Sequence, residues 1–206
     1  MIITGRDSER LSAAVADLKE AGAWIDGITC DVCDPAAVAR TFEIVQQQYK
    51  RIDVLANNAG MAHEILPVDK LPIETWKQVI DTNLTGIFLI TQAALPLMSA
   101  GGTIVNNLSV AAMQPFAGMS AYNAAKFGAL GFTKALREEV RKQGIRVLAL
   151  IPGATNTEIW QQFWPEAPRE KMMKPETVAQ AVLHAVSAPP EASVEEIVIG
   201  PTAGVL

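Results

Sequence analysis

Residues 147–151 read VLALI, and every one of them is apolar. Residues 103–108, TIVNNL, form a second strand-like segment of largely apolar character. A strand that is apolar on both faces is typical of a parallel sheet covered by helices on both sides. The two segments therefore predict an α/β protein with a doubly wound parallel sheet in a three-layer αβα arrangement.

Outward from these segments, strand-like runs alternate with helical patterns along the whole sequence. Helix starts and stops carry the expected residues: Asp7 or Ser8 as N-cap of the first helix, Gly22 at its end, and Asp34 followed by Pro35 at the second. Strands are predicted at residues 2–4, 24–30, 52–57, 103–108, 145–151 and 195–199. Helices are predicted at residues 7–21, 35–50, 73–98, 120–142 and 175–187.

Length and charge limit the kinds of partner. A chain of 206 residues, 50% of them apolar, suits a single domain spanning 1–206. The net charge of -5 argues against a nucleic-acid or anionic-membrane surface, so small molecules and further copies of the chain are the expected partners. The most apolar window, residues 84–98, is shorter than a membrane span, and the charged residues near the start leave no signal-peptide core. A cytoplasmic location is expected.

The two cysteines, Cys30 and Cys33, have a spacing that is also found in metal and redox sites. Metal sites usually need four ligands, and the two histidines, His63 and His184, lie far away in the sequence. Reduced thiols at the end of a buried strand are the ordinary explanation. No metal site is predicted.

A candidate catalytic group begins directly after the strand at 103–108. Ser109 stands there at the carboxyl end of the sheet, where open α/β folds bind ligands. Tyr122 and Lys126 are four residues apart on the next predicted helix, so they share one face. An ammonium group beside a phenol favours the phenolate, which would let Tyr122 exchange a proton at neutral pH. A YxxxK pair alone is more often an ordinary helix tyrosine with a solvated lysine.

Three further motifs accompany this group: LANNAG at residues 55–60, NLTG at 83–86 and PGATNT at 152–157. Together with Ser109, Tyr122 and Lys126 they resemble the short-chain dehydrogenase/reductase family, in the order and spacing of that family and over essentially the whole chain. Each motif is weak by itself, and their joint occurrence is specific. The resemblance implies a Rossmann-type fold and a nicotinamide-dependent oxidoreductase.

The resemblance also implies roles for individual residues. Tyr122 is the expected acid or base and Lys126 its activator and a ligand of the nicotinamide ribose, while Ser109 polarises the carbonyl. Asn83 corresponds to an asparagine that kinks its helix and holds a water in the proton relay; otherwise it is a helix asparagine that bonds to backbone. The other expected cofactor-binding residues are Asp31 and Val32 at the adenine, Asn57, Asn58, Ala59 and Gly60 along the adenosine ribose, and Pro152, Gly153, Thr155 and Thr157 at the nicotinamide carboxamide.

Arg6 bears on the choice of cofactor. An acidic residue at this point after the strand would bind the ribose 2′-hydroxyl of NAD, whereas a cation accommodates the 2′-phosphate of NADP. Arg6 therefore favours NADP over NAD, although a solvated arginine at a helix start is the alternative.

The opening MIITGRDSERL corresponds to the second strand of the family and not to its first. The sequence lacks the glycine-rich TGxxxGxG turn that follows the family's first strand and cradles the pyrophosphate. The resemblance thus implies an N-terminally truncated fold without its central first strand and first helix, which leaves a gap in the sheet between this chain's first and third strands. We expect a functional protein to have an upstream segment with Met1 internal, and the sequence as it stands to bind cofactor weakly or not at all.

The leading functional hypothesis is an NADP-dependent carbonyl reductase or alcohol dehydrogenase. A lid is predicted at about residues 156–174. The substrate of the enzyme is expected to be hydrophobic or acyl-type, because aromatic and apolar residues would line its pocket. Alternatively, these residues only pack the lid. They are Met113, Phe116, Trp160, Phe163 and Trp164.

Two alternatives remain. One is a catalytically silent member that serves as an interaction or scaffold subunit, and the other is dehydration or epimerisation of a nucleotide sugar, for which the segment after Pro152 is short.

By resemblance, a 3-oxoacyl carrier-protein reductase or 3-hydroxy acid dehydrogenase is the nearest type. The resemblance also implies association into a dimer or tetramer through the helices of Asn83 and Tyr122.

Overall fold

The computed structural model describes residues 1–204, in which strands and helices alternate along the chain. The strands are β1 (Ile2–Gly5), β2 (Asp26–Thr29), β3 (Val54–Asn57), β4 (Thr103–Asn107), β5 (Arg146–Pro152) and β6 (Glu196–Ile199). The α-helices are α1 (Ser8–Glu20), α2 (Pro35–Gln48), α3 (Ile73–Ile80), α4 (Gly86–Ala94), α5 (Ser120–Val140) and α6 (Pro175–Val186).

All strand pairings are parallel, and they form two sheets. One sheet contains β1 and β2, and the other has the order β3-β4-β5-β6. Over residues 1–204, β1 is hydrogen-bonded only to β2, and β3 only to β4. The expected interruption between the first and third strands is therefore confirmed.

The apolar strand β5 is covered on both faces, as its sequence predicts. Val147, Ala149 and Ile151 belong to clusters that contain residues of α4 and α5. Leu148 and Leu150 face the opposite way and pack with α6. Side chains of a strand alternate between faces, so each helix layer takes every second residue. The three-layer αβα prediction is confirmed.

Helix boundaries follow the capping residues in the sequence. The Asp7 carboxylate accepts hydrogen bonds from two backbone amides of α1, so Asp7 and not Ser8 is its N-cap. Asp34 caps α2, and Pro35 occupies its first turn. Gly22 follows α1 with φ +88°, a conformation that residues with a side chain rarely adopt.

Several elements differ from the predicted bounds. The second strand begins at Asp26, and Trp24, predicted to lie in it, is 94% exposed. The helix predicted at 73–98 is divided by a π-helical turn, Asp81–Thr85, into α3 and α4. The predicted helix thus exists, but its hydrogen-bond pattern changes at Asn83. None of the helices within residues 1–204 has the length and apolar character that a membrane crossing requires.

A buried polar network joins β3 and β4 to the helices over them. The Asn57 amide donates to the Asn106 side chain at 2.8 Å and to the Thr91 hydroxyl of α4 at 3.1 Å. Asn106 in turn donates to Thr133 of α5 at 2.9 Å. Since buried polar groups are stable only when they are hydrogen-bonded, this network holds the strands and both helices in one register.

The two cysteines are free thiols, and Cys30 is buried, as predicted. Burial raises the pKa of the Cys33 thiol, which disfavours the thiolate that metal binding or redox exchange would need. The described residues contain no cluster of three or more histidine, cysteine or acidic side chains that could hold a metal ion.

Candidate active site

The predicted site residues gather at one edge of the molecule, because parallel strands end at the same edge of their sheet. Arg6 follows β1, Asp31 and Val32 follow β2, and Ser109 comes two residues after β4. The segment 57–60 begins at the last residue of β3, and Pro152 is the last residue of β5. The residues after β1 and β2 thus lie at the edge of one sheet, and residues 57–60, Ser109 and Pro152 lie at the edge of the other, here called the crevice.

Tyr122 lies in the first turn of α5 and Lys126 in the second, side by side on one face. The Lys126 ammonium lies 5.5 Å from the centre of the Tyr122 ring. Its Nζ donates a hydrogen bond to the backbone carbonyl of Asn107 at 3.1 Å, which fixes the long side chain against the end of β4. Lys126 is only 4% exposed, and no carboxylate of residues 1–204 lies within ion-pair distance of it.

The pKa of Tyr122 is shifted in the direction opposite to the prediction. Burial raises the pKa of its hydroxyl, and hydrogen bonding with Ser109 offsets this only in part. Burial also lowers the pKa of the Lys126 ammonium to about 8. The charge of the ammonium alone does not outweigh desolvation, which penalises phenolate and ammonium alike. Without a further cation beside it, Tyr122 is therefore a protonated phenol at neutral pH, able to donate a proton.

Ser109 and the loop after it are attached to α5 by Asn123, a residue that the sequence reasoning missed. The Asn123 amide donates to the carbonyls of Ala111 and Gln114, both at 2.9 Å, and its oxygen accepts from the Phe116 amide at 2.9 Å. Because Asn123 is the neighbour of Tyr122, these bonds set the serine loop against the helix that carries the tyrosine. The position of Asn123 next to Tyr122 is the only feature of the sequence that could have pointed to this role.

Asn83 lies in the π-helical turn between α3 and α4 and is fully buried. Its amide donates to the carbonyls of Met61 at 2.8 Å and Val79 at 2.9 Å, and its oxygen accepts from the Met61 amide at 3.2 Å. Both bonds to Met61 hold the loop after β3, so Asn83 couples the helix to the crevice. A role in holding water stays a prediction.

We expect Asn83→Ala to lower the free energy of unfolding by about 3 kcal/mol, because three buried backbone groups lose their partner. Urea unfolding monitored by circular dichroism measures this change. Thr85→Ala, in the same π-helical turn, is the matched control and should change stability by less than about 0.5 kcal/mol. Equal stabilities of Asn83→Ala and the parent protein would contradict the structural role of Asn83.

The predicted lid contains two short 3-10 helices, Glu158–Gln162 and Arg169–Lys171. Trp160 is buried, its ring lies 4.8 Å from that of Phe163 and 6.1 Å from that of Trp164, and its Nε1 donates to the Thr155 carbonyl at 2.8 Å. Of the two alternatives, the structure thus favours packing of the lid for Trp160. Met113 and Trp164 remain partly exposed, and Phe116 is half-buried.

A hydrogen bond connects the lid to the loop after β3. The Gln162 side-chain oxygen accepts from the backbone amide of Ala62 at 2.8 Å, across 100 residues of sequence. No local pattern marks Gln162 for this contact. It brings the lid against the loop that Asn83 also holds.

The residues at the ends of β3 and β4 fit a nicotinamide cofactor. A Cβ atom at Gly60 would lie 3.1 Å from the Asn83 side-chain oxygen and 3.9 Å from Lys126 Nζ, so a larger residue would crowd the loop where it passes the site. The Asn107 amide donates to Asn58 at 2.6 Å, which leaves the buried Asn107 Oδ1 without a partner. Such an acceptor beside Lys126 suits a ligand rich in hydroxyl groups.

The other predicted cofactor residues differ in what their side chains can offer. Asn57 uses its side-chain Nδ2 for both hydrogen bonds of the buried network, so that group is not available to a ligand. The Asp31 carboxylate accepts from the Cys33 amide at 2.9 Å, which shapes the turn after β2. The Thr155 hydroxyl donates to the Gly153 carbonyl at 3.0 Å and closes the turn after β5. Arg6 is exposed at the end of β1.

Comparison with known proteins places these features in a family. A family model described as short chain dehydrogenase matches residues 1–168. A 3beta-hydroxysteroid dehydrogenase of Mediterraneibacter gnavus is 37% identical over 163 residues, which are 79% of this chain and 59% of that protein. A sepiapterin reductase of Chlorobaculum tepidum is 34% identical over 206 residues, covering 99% of this chain and 84% of the relative.

A solved structure has the same fold over nearly all of this chain. A short chain dehydrogenase from Burkholderia cenocepacia in complex with NADP superposes with a TM-score of 0.85 at 28% identity. The match covers 97% of this chain and 85% of that one. The Rossmann-type fold is therefore confirmed.

Proposed function

This chain belongs to the short chain dehydrogenase family, and on that premise we propose that it is an NADP-dependent oxidoreductase that transfers hydride between the nicotinamide and a carbonyl or secondary alcohol. The observation that carries the proposal is the placement of Tyr122, Lys126 and Ser109 at one end of the sheet, with the phenol and the ammonium in contact on α5. The scaffold alternative has no observation in its favour.

Each of the three side chains has a part in the proposed reaction. Ser109 hydrogen-bonds the substrate oxygen, and Tyr122 donates a proton to that oxygen as it becomes an alkoxide. Lys126 supplies positive charge beside the phenol, which stabilises the phenolate left after the proton transfer. When bound, the cofactor supplies the hydride.

The shifted pKa values set the protonation states in which Tyr122 and Lys126 act. Because burial raises the pKa of Tyr122, its hydroxyl is protonated and ready to act as an acid. Acting as a base in alcohol oxidation would require the phenolate, and the lowered pKa of Lys126 reduces the ammonium population that stabilises it above about pH 8.

NADP is the proposed cofactor because Arg6 stands exposed at the end of β1, where a cation meets a 2′-phosphate. Related structures support the choice, since the Burkholderia cenocepacia dehydrogenase was solved in complex with NADP. The sequence contains no glycine-rich turn for the pyrophosphate. The described residues therefore include proposed contacts for the 2′-phosphate at one end of the cofactor and for the nicotinamide at the other.

We expect Arg6→Ala to weaken NADPH binding by roughly tenfold and to leave NADH binding unchanged, because only NADPH carries the phosphate that pairs with the guanidinium. Fluorescence titration of both nucleotides against the purified protein measures this. Arg10→Ala, which removes an exposed arginine bonded to Glu158, is the matched control and should affect neither nucleotide. Equal weakening of both nucleotides by Arg6→Ala would contradict a phosphate contact.

The proposed substrate is a small carbonyl compound with an apolar or acyl-type body. Met113 and Trp164 are the partly exposed apolar residues near the lid that support this choice. Self-association through α4 and α5 and a cytoplasmic location are proposed as well. Phe88 on α4 and Phe127 on α5 are 43% and 45% exposed, which leaves an apolar surface on these helices for a second copy to cover.

Oxidation of NADPH in the presence of a panel of ketones tests the proposed function directly. Turnover with apolar ketones, and slower turnover with NADH in place of NADPH, is the expected result. A folded protein that binds NADPH and turns over no member of the panel would favour the silent subunit instead.

A further inference from the structure

Ser109 and Asn123 are hydrogen-bonded to the same residue, Ala111, one through its backbone amide and the other through its carbonyl. The Ala111 amide donates to Ser109 Oγ at 3.1 Å, and the Ala111 carbonyl accepts from Asn123 Nδ2 at 2.9 Å. Ala111 is 2% exposed and Asn123 is 9% exposed, so water hardly competes for these bonds. Two hydrogen bonds therefore connect the Ser109 hydroxyl to the residue that directly follows Tyr122.

The first of these bonds determines what the Ser109 hydroxyl can do. A hydroxyl has one proton, and because its oxygen accepts from the Ala111 amide, that proton remains free to be donated. Hydrogen bonding with Ser109 lowers the pKa of Tyr122, as a donor to the phenolate oxygen does. Ser109 thus accepts from the backbone and donates towards the oxygen of Tyr122.

The second bond belongs to a group of three that fasten residues 110–116, here called the serine loop, to α5. Asn123 Nδ2 also donates to the Gln114 carbonyl, and Asn123 Oδ1 accepts from the Phe116 amide, both at 2.9 Å. All three bonds come from one side chain. Loss of that side chain would release the serine loop at three points, one of which is the residue that holds Ser109 Oγ.

We propose that Asn123 is a positioning residue that acts on the reaction through Ala111 and Ser109. It holds the serine loop so that the Ser109 hydroxyl donates to the Tyr122 oxygen and, during turnover, to the oxygen of the substrate. The proposal rests on the proposed function, in which Tyr122 is the proton donor. Because Tyr122 and Asn123 are adjacent in α5, the path from the phenol through Asn123, Ala111 and Ser109 back to the phenol is closed.

A double-mutant cycle tests whether Asn123 acts through Ser109. Asn123→Leu keeps the approximate size of the side chain and removes its three bonds. We expect it to lower kcat/KM for a ketone roughly tenfold in the parent protein, because small displacements of a reacting group cost rate. In a Ser109→Ala background there is no hydroxyl to position, and the same substitution should change kcat/KM by less than about twofold. Equal fold-losses in both backgrounds would overturn the proposal, since they indicate a general effect on the fold.

Two further variants separate positioning from folding. Asn123→Ala adds no bulk to the serine loop and should give the same non-additive result where leucine is not accommodated. Thr133→Val is the matched control, because Thr133 is a buried residue of α5 whose hydroxyl is bonded to Asn106 and to the Ala129 carbonyl instead of the serine loop. It should lower the free energy of unfolding and change kcat/KM by less than about twofold in both backgrounds. A loss in Thr133→Val that disappears in the Ser109→Ala background would overturn the proposal, because any disturbance of α5 would then act in the same way.

A spectroscopic measurement distinguishes failure of this proposal from failure of the proposed function. The ¹³C resonance of Tyr122 Cζ, the carbon that bears the hydroxyl, responds to hydrogen bonding at the oxygen and needs no turnover. In a Tyr49→Phe background Tyr122 is the only tyrosine. Asn123→Leu should move this resonance in the same direction as Ser109→Ala does, and the two substitutions together should move it no further than Ser109→Ala alone.

The two proposals therefore fail in different ways. That shift without turnover of any ketone would overturn the proposed reaction and keep the role of Asn123. Turnover together with an unmoved Tyr122 resonance in Asn123→Leu would overturn the role of Asn123 and keep the reaction.

Discussion

Replacing Tyr122 by phenylalanine should reduce kcat by about a thousandfold, within the range that general acid catalysis contributes. The variant loses only the hydroxyl, and the ring remains available for packing against the buried cluster of Val79, Ala121 and Ala125. Because the phenol is the proton donor in the proposed reaction, NADPH binding should change far less than turnover. Steady-state kinetics with a ketone substrate, combined with NADPH titration, measure both effects.

The chain provides its own control for this substitution. Tyr49 is the only other tyrosine, and its hydroxyl is hydrogen-bonded to the Asp26 carboxylate on the surface. Tyr49→Phe should leave kcat and KM unchanged. Undiminished turnover in Tyr122→Phe would refute the mechanism, and an equal loss in both variants would indicate damage to the fold.

The second large effect is expected for Lys126→Met, which should lower activity and change the pH dependence of stability. Lys126→Met should lower kcat/KM by about a hundredfold, because the phenolate left on Tyr122 loses the adjacent cation. The same substitution should change how stability depends on pH. The pKa of Lys126 is about 8 in the folded protein, below its ordinary value of 10.5.

The sign of the pH effect follows from proton binding. Between the two pKa values the unfolded chain binds the proton and the folded chain does not, so the free energy of unfolding rises with pH over this window. Lys126 should raise the free energy of unfolding by about 3 kcal/mol between pH 8 and pH 10.5, since one pKa unit corresponds to about 1.4 kcal/mol. Below pH 8 the folded protein bears the whole penalty of the buried charge. Lys126→Met should lack this rise.

Urea unfolding at several pH values, with the difference taken between parent and variant, isolates the contribution of Lys126 from that of other groups. Lys134→Met is the matched control, because Lys134 lies on the same helix but is exposed and pairs with Glu196 at 3.1 Å. Its stability curve should run parallel to that of the parent. A parallel curve for Lys126→Met would show that the ammonium is not desolvated as the structure indicates.

Much of the site was predictable because the relevant information is local. The four-residue spacing of Tyr122 and Lys126 puts them on one helix face, and the position of Ser109 after a strand puts it at the ligand-binding edge. Asn123 and Gln162 escaped prediction for the opposite reason. Asn123 bonds to a loop that has no periodic pattern, and Gln162 meets a residue 100 positions away.

The sequence by itself determined the alternation of strands and helices and the burial of β5 on both faces, because hydrophobic periodicity and capping chemistry operate over a few residues. The interruption of the sheet was implied by the resemblance to the family, whose first strand and glycine-rich turn this sequence lacks. Only the tertiary structure decided the protonation of the site. Desolvation depends on everything that surrounds a group, so the pKa of Tyr122 rises although a lysine stands next to it in the helix.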